Sequence, residues 1–321
     1  MWAQQLVAPL RFEQVSLPEP SAEDLVEGEV VLRVLVGGLC GSDAPFYRGA
    51  PNTWTDGASR PAGFPMHEVV GEVVATRSAE HSVGDRVVGW ATRLDGLQEL
   101  IISEGDSLHR FDPELDPVEA ITIQPLACVL YAVERLGDVT GSTCAVIGQG
   151  PIGMLFSHVL EASGAARVVG VDRLDRRTVS SAFGVAECVH DSSASWSRGL
   201  SDEDRPEVVV EAVGHQVGTL SDAVRAVAPR GRILYFGVPD DAVYPFDMET
   251  FLRKHLTLTA CSTLDRRRML AAAERYLQAR PELARTFITH RFSAEEANEA
   301  YATAFHPRPE QLKVVVTTQA L

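Results

Sequence analysis

The stretch "CAVIGQGPIG", Cys144 to Gly153, runs from β-branched residues into three spaced glycines, Gly148, Gly150 and Gly153, at the head of an apolar segment. A GxGxxG is a weak signal by itself in a chain with 25 glycines. Here its surroundings meet its physical requirements. A strand must lead into a turn that tolerates positive φ, a pyrophosphate needs close backbone approach, and a helix must start at once and pack tightly. Pro151 and Ile152 fill the two positions before the last glycine and open the helical segment. A second strand-like run, "ARVVGVDR", ends in Asp172, 19 residues after Gly153. A carboxylate there accepts hydrogen bonds from a ribose diol and repels a 2′-phosphate, which favours NAD over NADP. Arg173 beside it pulls the other way, because a guanidinium stacks on adenine or binds phosphate.

Outward from this fingerprint the texture stays regular. Strand and helix patterns alternate through "PIGMLFSHVLEASGA", "ARVVGVDR", "PEVVVEAVG", "HQVGTLSDAVRAVAP" and "GRILYFGVP". The strands are continuous apolar runs, as in parallel strands covered on both faces. This predicts a doubly wound α/β domain over about residues 117–264. Residues 1–116 read differently, as short β-branched runs broken by glycine and proline, which favours a β-rich or barrel-like domain. Residues 265–321 hold two helical patterns and a last strand, "QLKVVVTT", so the chain is expected to return to the first domain.

The bulk composition narrows the partners. With 321 residues, 45% of them hydrophobic, the chain has the composition of a globular protein of about two domains. A formal net charge of −15 disfavours nucleic acid and anionic membrane surfaces. Five scattered cysteines with no CxxC indicate neither a disulfide framework nor a four-cysteine zinc site. The start lacks the pattern of a signal peptide, and no apolar run is long enough to span a bilayer. A reduced, cytoplasmic location is expected.

Within the β-rich part, "VLVGGLCGSD" sets Cys40 beside Ser42 and Asp43, and "FPMHEVVGEV" supplies His67 and Glu68, His67 lying 27 positions after Cys40. Taken alone, Cys40 reads as a small buried hydrophobe. Joined to His-Glu in a chain with a dinucleotide fingerprint, it reads as a zinc ligand, since thiolate, imidazole and carboxylate plus one open position make a catalytic zinc site. Ser42 and Asp43 taken alone are also ordinary turn residues. Tyr47 is read either as pocket lining or as packing. His158, His215, His255 and His290 read as structural, and Cys128, Cys144, Cys188 and Cys261 as core.

These pieces, together with "VGDRVVGW", "QPLACVLYAV" and "FSAEEANEAYATA…LKVVV", resemble the zinc-dependent medium-chain dehydrogenase/reductase superfamily over nearly the whole length. The branch most resembled is that of sorbitol, threonine and alcohol dehydrogenases. The resemblance implies a GroES-like catalytic domain, a Rossmann domain, one catalytic zinc, NAD, and a homodimer or homotetramer. It implies Cys40 and His67 as zinc ligands and Glu68 as a third ligand or a switching carboxylate. Ser42 is implied as proton relay, and Asp43 as the acid that orients His67. The implied reaction is hydride transfer between NAD and a secondary alcohol, of polyol, sugar, cyclitol or amino-alcohol type.

Three departures stand out. Met66 replaces the usual glycine before His-Glu, and Gln124 replaces a glutamate that acts near the metal in many relatives, which makes Gln124 a neutral candidate ligand. The cysteine-rich lobe that holds a structural zinc in many relatives is absent, so no structural zinc is expected. Two other readings remain at this level: a zinc-independent NADPH-linked quinone or enoyl reductase on the same fold, and a non-catalytic nucleotide-binding protein.

Overall fold

The structure, a computed structural model, describes residues 1–49 and 60–318. The chain first makes a hairpin of β1 (Trp2–Ala8) and β2 (Arg11–Ser16). It continues through β3 (Glu29–Gly38), β4 (Glu68–Thr76), β5 (Arg86–Trp90), β6 (Leu100–Glu104) and β7 (Leu108–Arg110). Next come β8 (Thr143–Ile147), β9 (Arg167–Asp172), β10 (Glu187–His190), β11 (Val208–Glu211), β12 (Arg232–Tyr235) and β13 (Thr257–Ala260), with helices between them. The last strands are β14 (Ile288–Ser293) and β15 (Lys313–Thr317). The result is two compact units.

The first unit gathers Met1–Ala127, Asp265–Pro307 and Gln311–Leu321. Among its described residues, a seven-stranded sheet runs β14-β15-β3-β4-β5-β7, with β6 also paired to β3. Only the β14–β15 pair is parallel; β3, the spine, is antiparallel to β15, β4 and β6. Its sequence EVVLRVLVGG is buried nearly from end to end, so it lacks the polar alternation of a half-exposed strand. Val30, Leu32, Val34, Val69, Val73, Val87, Ile101 and Leu108 pack into one core between these strands.

The second unit, Cys128–Leu264 with Arg308–Glu310, is a six-stranded sheet in the order β10-β9-β8-β11-β12-β13. Every pairing in it is parallel. The first strand lies inside the sheet and the order reverses beside it, so the ends of β8 and β11 flank the switch point of a doubly wound fold. Val209, Val224, Val227 and Ile233 are among the apolar residues of its core.

The units divide after Ala127 and after Leu264. The helix Pro117–Ala120 buries Val118 and Ala120 completely and lies against β3 and β4, so its apolar face belongs to the first core. Residues 308–310 join the second unit for a polar reason: the buried Arg176 guanidinium donates to the carbonyls of Arg308 (2.8 Å) and Pro309 (2.9 Å).

Candidate metal centre and dinucleotide cradle

Cys40 follows the end of β3, and His67 directly precedes β4, whose first residue is Glu68. The antiparallel register of β3 and β4 pairs Gly38 with Glu68. Strand pairing therefore brings together residues that lie far apart in sequence. The Cys40 Sγ, a His67 ring nitrogen and a Glu68 carboxylate oxygen all lie within 4.8 Å of one another. Thiolate, imidazole and carboxylate at that spacing fit a tetrahedral zinc with one position left open.

The surroundings hold these donors in place. Asp43, almost fully buried, accepts the Cys40 backbone N–H at 2.9 Å through one oxygen. Its other oxygen lies 3.1 Å from His67 Nδ1. With Nδ1–H donated to Asp43, Nε2 presents its lone pair to a metal. Burial holds the Asp43 carboxyl above its usual range, against the opposing pull of His67. Burial disfavours the His67 cation too, but the charge and hydrogen bond of Asp43 outweigh it, so the metal-free His67 is held well above its ordinary pKa. Ser42 is half-buried in the 3-10 turn Gly41–Asp43, between Cys40 and Asp43.

Glu68 is also paired on its far side. Lys313, the first residue of β15, meets Glu68 Oε2, and both side chains are buried. The Lys313 Nζ also donates to the Leu39 carbonyl at 2.8 Å, one residue before Cys40. A Cβ on Gly38 would come within 2.4 Å of Glu68 Oε2 and 3.0 Å of Lys313 Cε, so the pair occupies the space a side chain at 38 would need. Sequence reading missed Lys313; its one signal is a lysine inside the otherwise apolar "LKVVV".

Met66 is 1% exposed and packs into the aromatic core with Leu39, Tyr47 and Tyr301, its sulfur lying where a Cβ of Gly37 would be. Tyr47 belongs to the same cluster, with Phe12, Tyr301 and Phe305 rings within 6.0 Å, which settles it as packing. Gln124 is buried in the first turn of the helix Ile123–Leu136. Of the four outlying cysteines only Cys144 is buried; Cys128, Cys188 and Cys261 are half-buried.

In the second unit the glycine fingerprint forms the expected strand–turn–helix. Gly148, at φ 91°, directly follows β8, and Gly150 caps the helix Pro151–Ala162 with Pro151 in its first turn. A Cβ on Gly153 would lie 1.7 Å from the Gly148 carbonyl oxygen, so only glycine lets the helix sit this close to the turn. Pro151 and Ile152 are half-buried at the helix start, where unpaired backbone N–H groups favour a phosphate. Asp172 ends β9 and accepts from the Gln149 N–H (2.7 Å) and the Leu174 N–H (2.8 Å). Arg173 is exposed.

Residues 26–101 match the alcohol dehydrogenase GroES-like domain, and residues 151–278 match the zinc-binding dehydrogenase family. These are the two halves of one class of oxidoreductase, that of the medium-chain dehydrogenases/reductases. The chain belongs to its zinc-type branch. It is 26% identical over 271 residues to the erythritol/L-threitol dehydrogenase of Mycolicibacterium smegmatis, covering 71% of this chain and 73% of that one. It is 28% identical over 316 residues to the D-altritol 5-dehydrogenase of Agrobacterium fabrum, covering 87% and 90%. Among solved structures, alcohol dehydrogenase TADH from Thermus sp. ATN1 shares the fold at a TM-score of 0.85, with 23% identity, covering 99% of this chain and 100% of that one.

Proposed function

We propose that this zinc-type alcohol dehydrogenase transfers a hydride between NAD and a secondary alcohol of polyol, sugar, cyclitol or amino-alcohol type. The single observation that carries the reading is the convergence of Cys40, His67 and Glu68, with Asp43 bonded to both the His67 ring and the Cys40 backbone. One zinc would be held there by Cys40, His67 and Glu68, with Gln124 as a neutral fourth candidate. Bound zinc polarises an alcohol oxygen and lowers its pKa, and NAD supplies the hydride acceptor.

The chain's own residues do the rest. Asp43 fixes the tautomer and direction of His67 and anchors the backbone of Cys40, so both donors are presented together. Lys313 offsets the Glu68 charge, which otherwise stands buried beside a thiolate and a second carboxylate. Ser42, in the turn between them, carries the substrate hydroxyl proton away from the centre. In the second unit, the helix start at Gly150–Ile152 takes the pyrophosphate, and the negative Asp172 favours the ribose diol of NAD over a 2′-phosphate.

Assembly as a homodimer or homotetramer is supported by β13. It ends the second sheet, and Leu258 on it and Val243, Met248 and Leu252 in the chain before it are exposed. The candidate edge is Thr257–Ala260. Five free cysteines agree with a reduced, cytoplasmic setting. The test is turnover by zinc-loaded protein with NAD and NADP on a panel of polyols, sugar alcohols and amino-alcohols. NAD-linked oxidation of at least one class is expected; the absence of turnover across the panel contradicts the proposal.

A further inference from the structure

His215 was read from sequence as an ordinary structural histidine, but its setting in the second unit is unusual. It follows β11 with φ 53°, a left-handed conformation that costs a non-glycine residue energy and persists only where the surroundings impose it. Those surroundings are built from the ends of two neighbouring strands. Glu211, the last residue of β11 and fully buried, accepts the N–H groups of Val213 (3.1 Å) and Gly214 (3.2 Å) through Oε1. The His215 N–H donates to the Val238 carbonyl at 2.8 Å, in the segment that follows β12. On the ring, Nδ1 lies 2.6 Å from Asp240 Oδ1, and the Asp240 N–H donates to the Tyr244 hydroxyl at 2.9 Å. The imidazole is thus fixed by backbone and by carboxylate, with Nδ1–H donated and Nε2 left as an acceptor. Two buried polar atoms at the same strand ends, Glu211 Oε2 and the Tyr235 hydroxyl, also lack hydrogen-bond partners among the described residues.

The position of this dyad in the sheet gives it a meaning. A doubly wound sheet binds a dinucleotide outside the carboxyl ends of its strands, one nucleoside over each half. The half β8-β9-β10 carries Asp172, the carboxylate for the adenosine ribose. The other half is β11-β12-β13, and the loop after β11 abuts the pyrophosphate turn: a Cβ on Gly148 would lie 2.7 Å from Val213 Cγ2. Resting on the dinucleotide reading above, we infer that His215, oriented by Asp240, accepts a hydrogen bond through Nε2 from the nicotinamide nucleoside of the cofactor. The donor is either a hydroxyl of its ribose or its carboxamide N–H. His215 is then a positioning residue that fixes how the nicotinamide half is held.

The test is calorimetric binding of ADP, ADP-ribose and NADH to the full chain and to two variants. His215→Gly removes the ring and relieves the left-handed strain, and Asp240→Asn keeps the backbone but weakens the orientation of the ring. Both are expected to bind NADH roughly five- to tenfold more weakly than the parent, the worth of one hydrogen bond, and ADP equally well. If ADP-ribose weakens with NADH, the ribose hydroxyl is the donor; if ADP-ribose is unaffected, the carboxamide is. An unchanged NADH affinity, or an equal loss for ADP and NADH in both variants, overturns the assignment. Failure of the parent to bind any of the three would instead overturn the dinucleotide reading on which it rests.

Discussion

At the scale of single residues, the charges around Cys40 decide how the first unit behaves with and without metal. Glu68 and Lys313 neutralise each other in a buried place. Lys313→Met leaves an unpaired buried carboxylate, and removing one partner of such a pair costs about 3–5 kcal/mol. Denaturant unfolding should show that loss in metal-free protein and a smaller one in zinc-loaded protein, where the cation gives Glu68 a partner. Asp43→Asn keeps the shape but weakens the hold on the His67 tautomer, and zinc affinity measured by chelator competition should fall about 10–100-fold. Asp95, away from this pair, is governed by burial, which pushes its carboxyl up to about 6 despite a 3.1 Å hydrogen bond from Gln98. A folded pKa above the unfolded one gives stability that is complete below about pH 4 and lost as pH rises through about 6. Asp95→Asn should therefore be more stable than the parent at pH 8, by about 3 kcal/mol, and lose that advantage at pH 4.

At the scale of elements, strand pairing and one close helix–turn contact do the positioning. Gly153→Ala places a Cβ where the Gly148 carbonyl oxygen already stands, so the helix Pro151–Ala162 must lift from β8. Overpacking of this kind costs about 1–3 kcal/mol, and NADH binding should fall with thermal stability. This contact was legible in sequence because the requirement is local: strand, turn and helix are adjacent in the chain. The metal centre was legible only as a set of residue types. What brings Cys40 to His67 is the β3–β4 register, and a register is a non-local choice. Lys313 was less legible still, since β15 reaches β3 only through the return of the chain to the first sheet. The helical spacing of residues 117–127 was visible, but which core receives its apolar face is a question of packing that periodicity does not answer.

At the scale of the whole molecule, the chain is a zinc-type medium-chain dehydrogenase whose two units divide the chemistry. The first carries the candidate metal centre and the second the dinucleotide cradle. The unpaired β13 edge bears on assembly: Leu258→Lys puts a charge on an exposed strand edge, and sedimentation should show a shift towards monomer with little change in the fold. The central claim, that Cys40 and His67 hold a catalytic zinc, is tested most directly by metal content. The parent should carry about one zinc per chain, and Cys40→Ser and His67→Ala almost none, with NAD-linked alcohol oxidation lost in step. A parent that is free of zinc after metal loading yet reduces NAD at full rate, or variants that keep both zinc and turnover, would contradict the account.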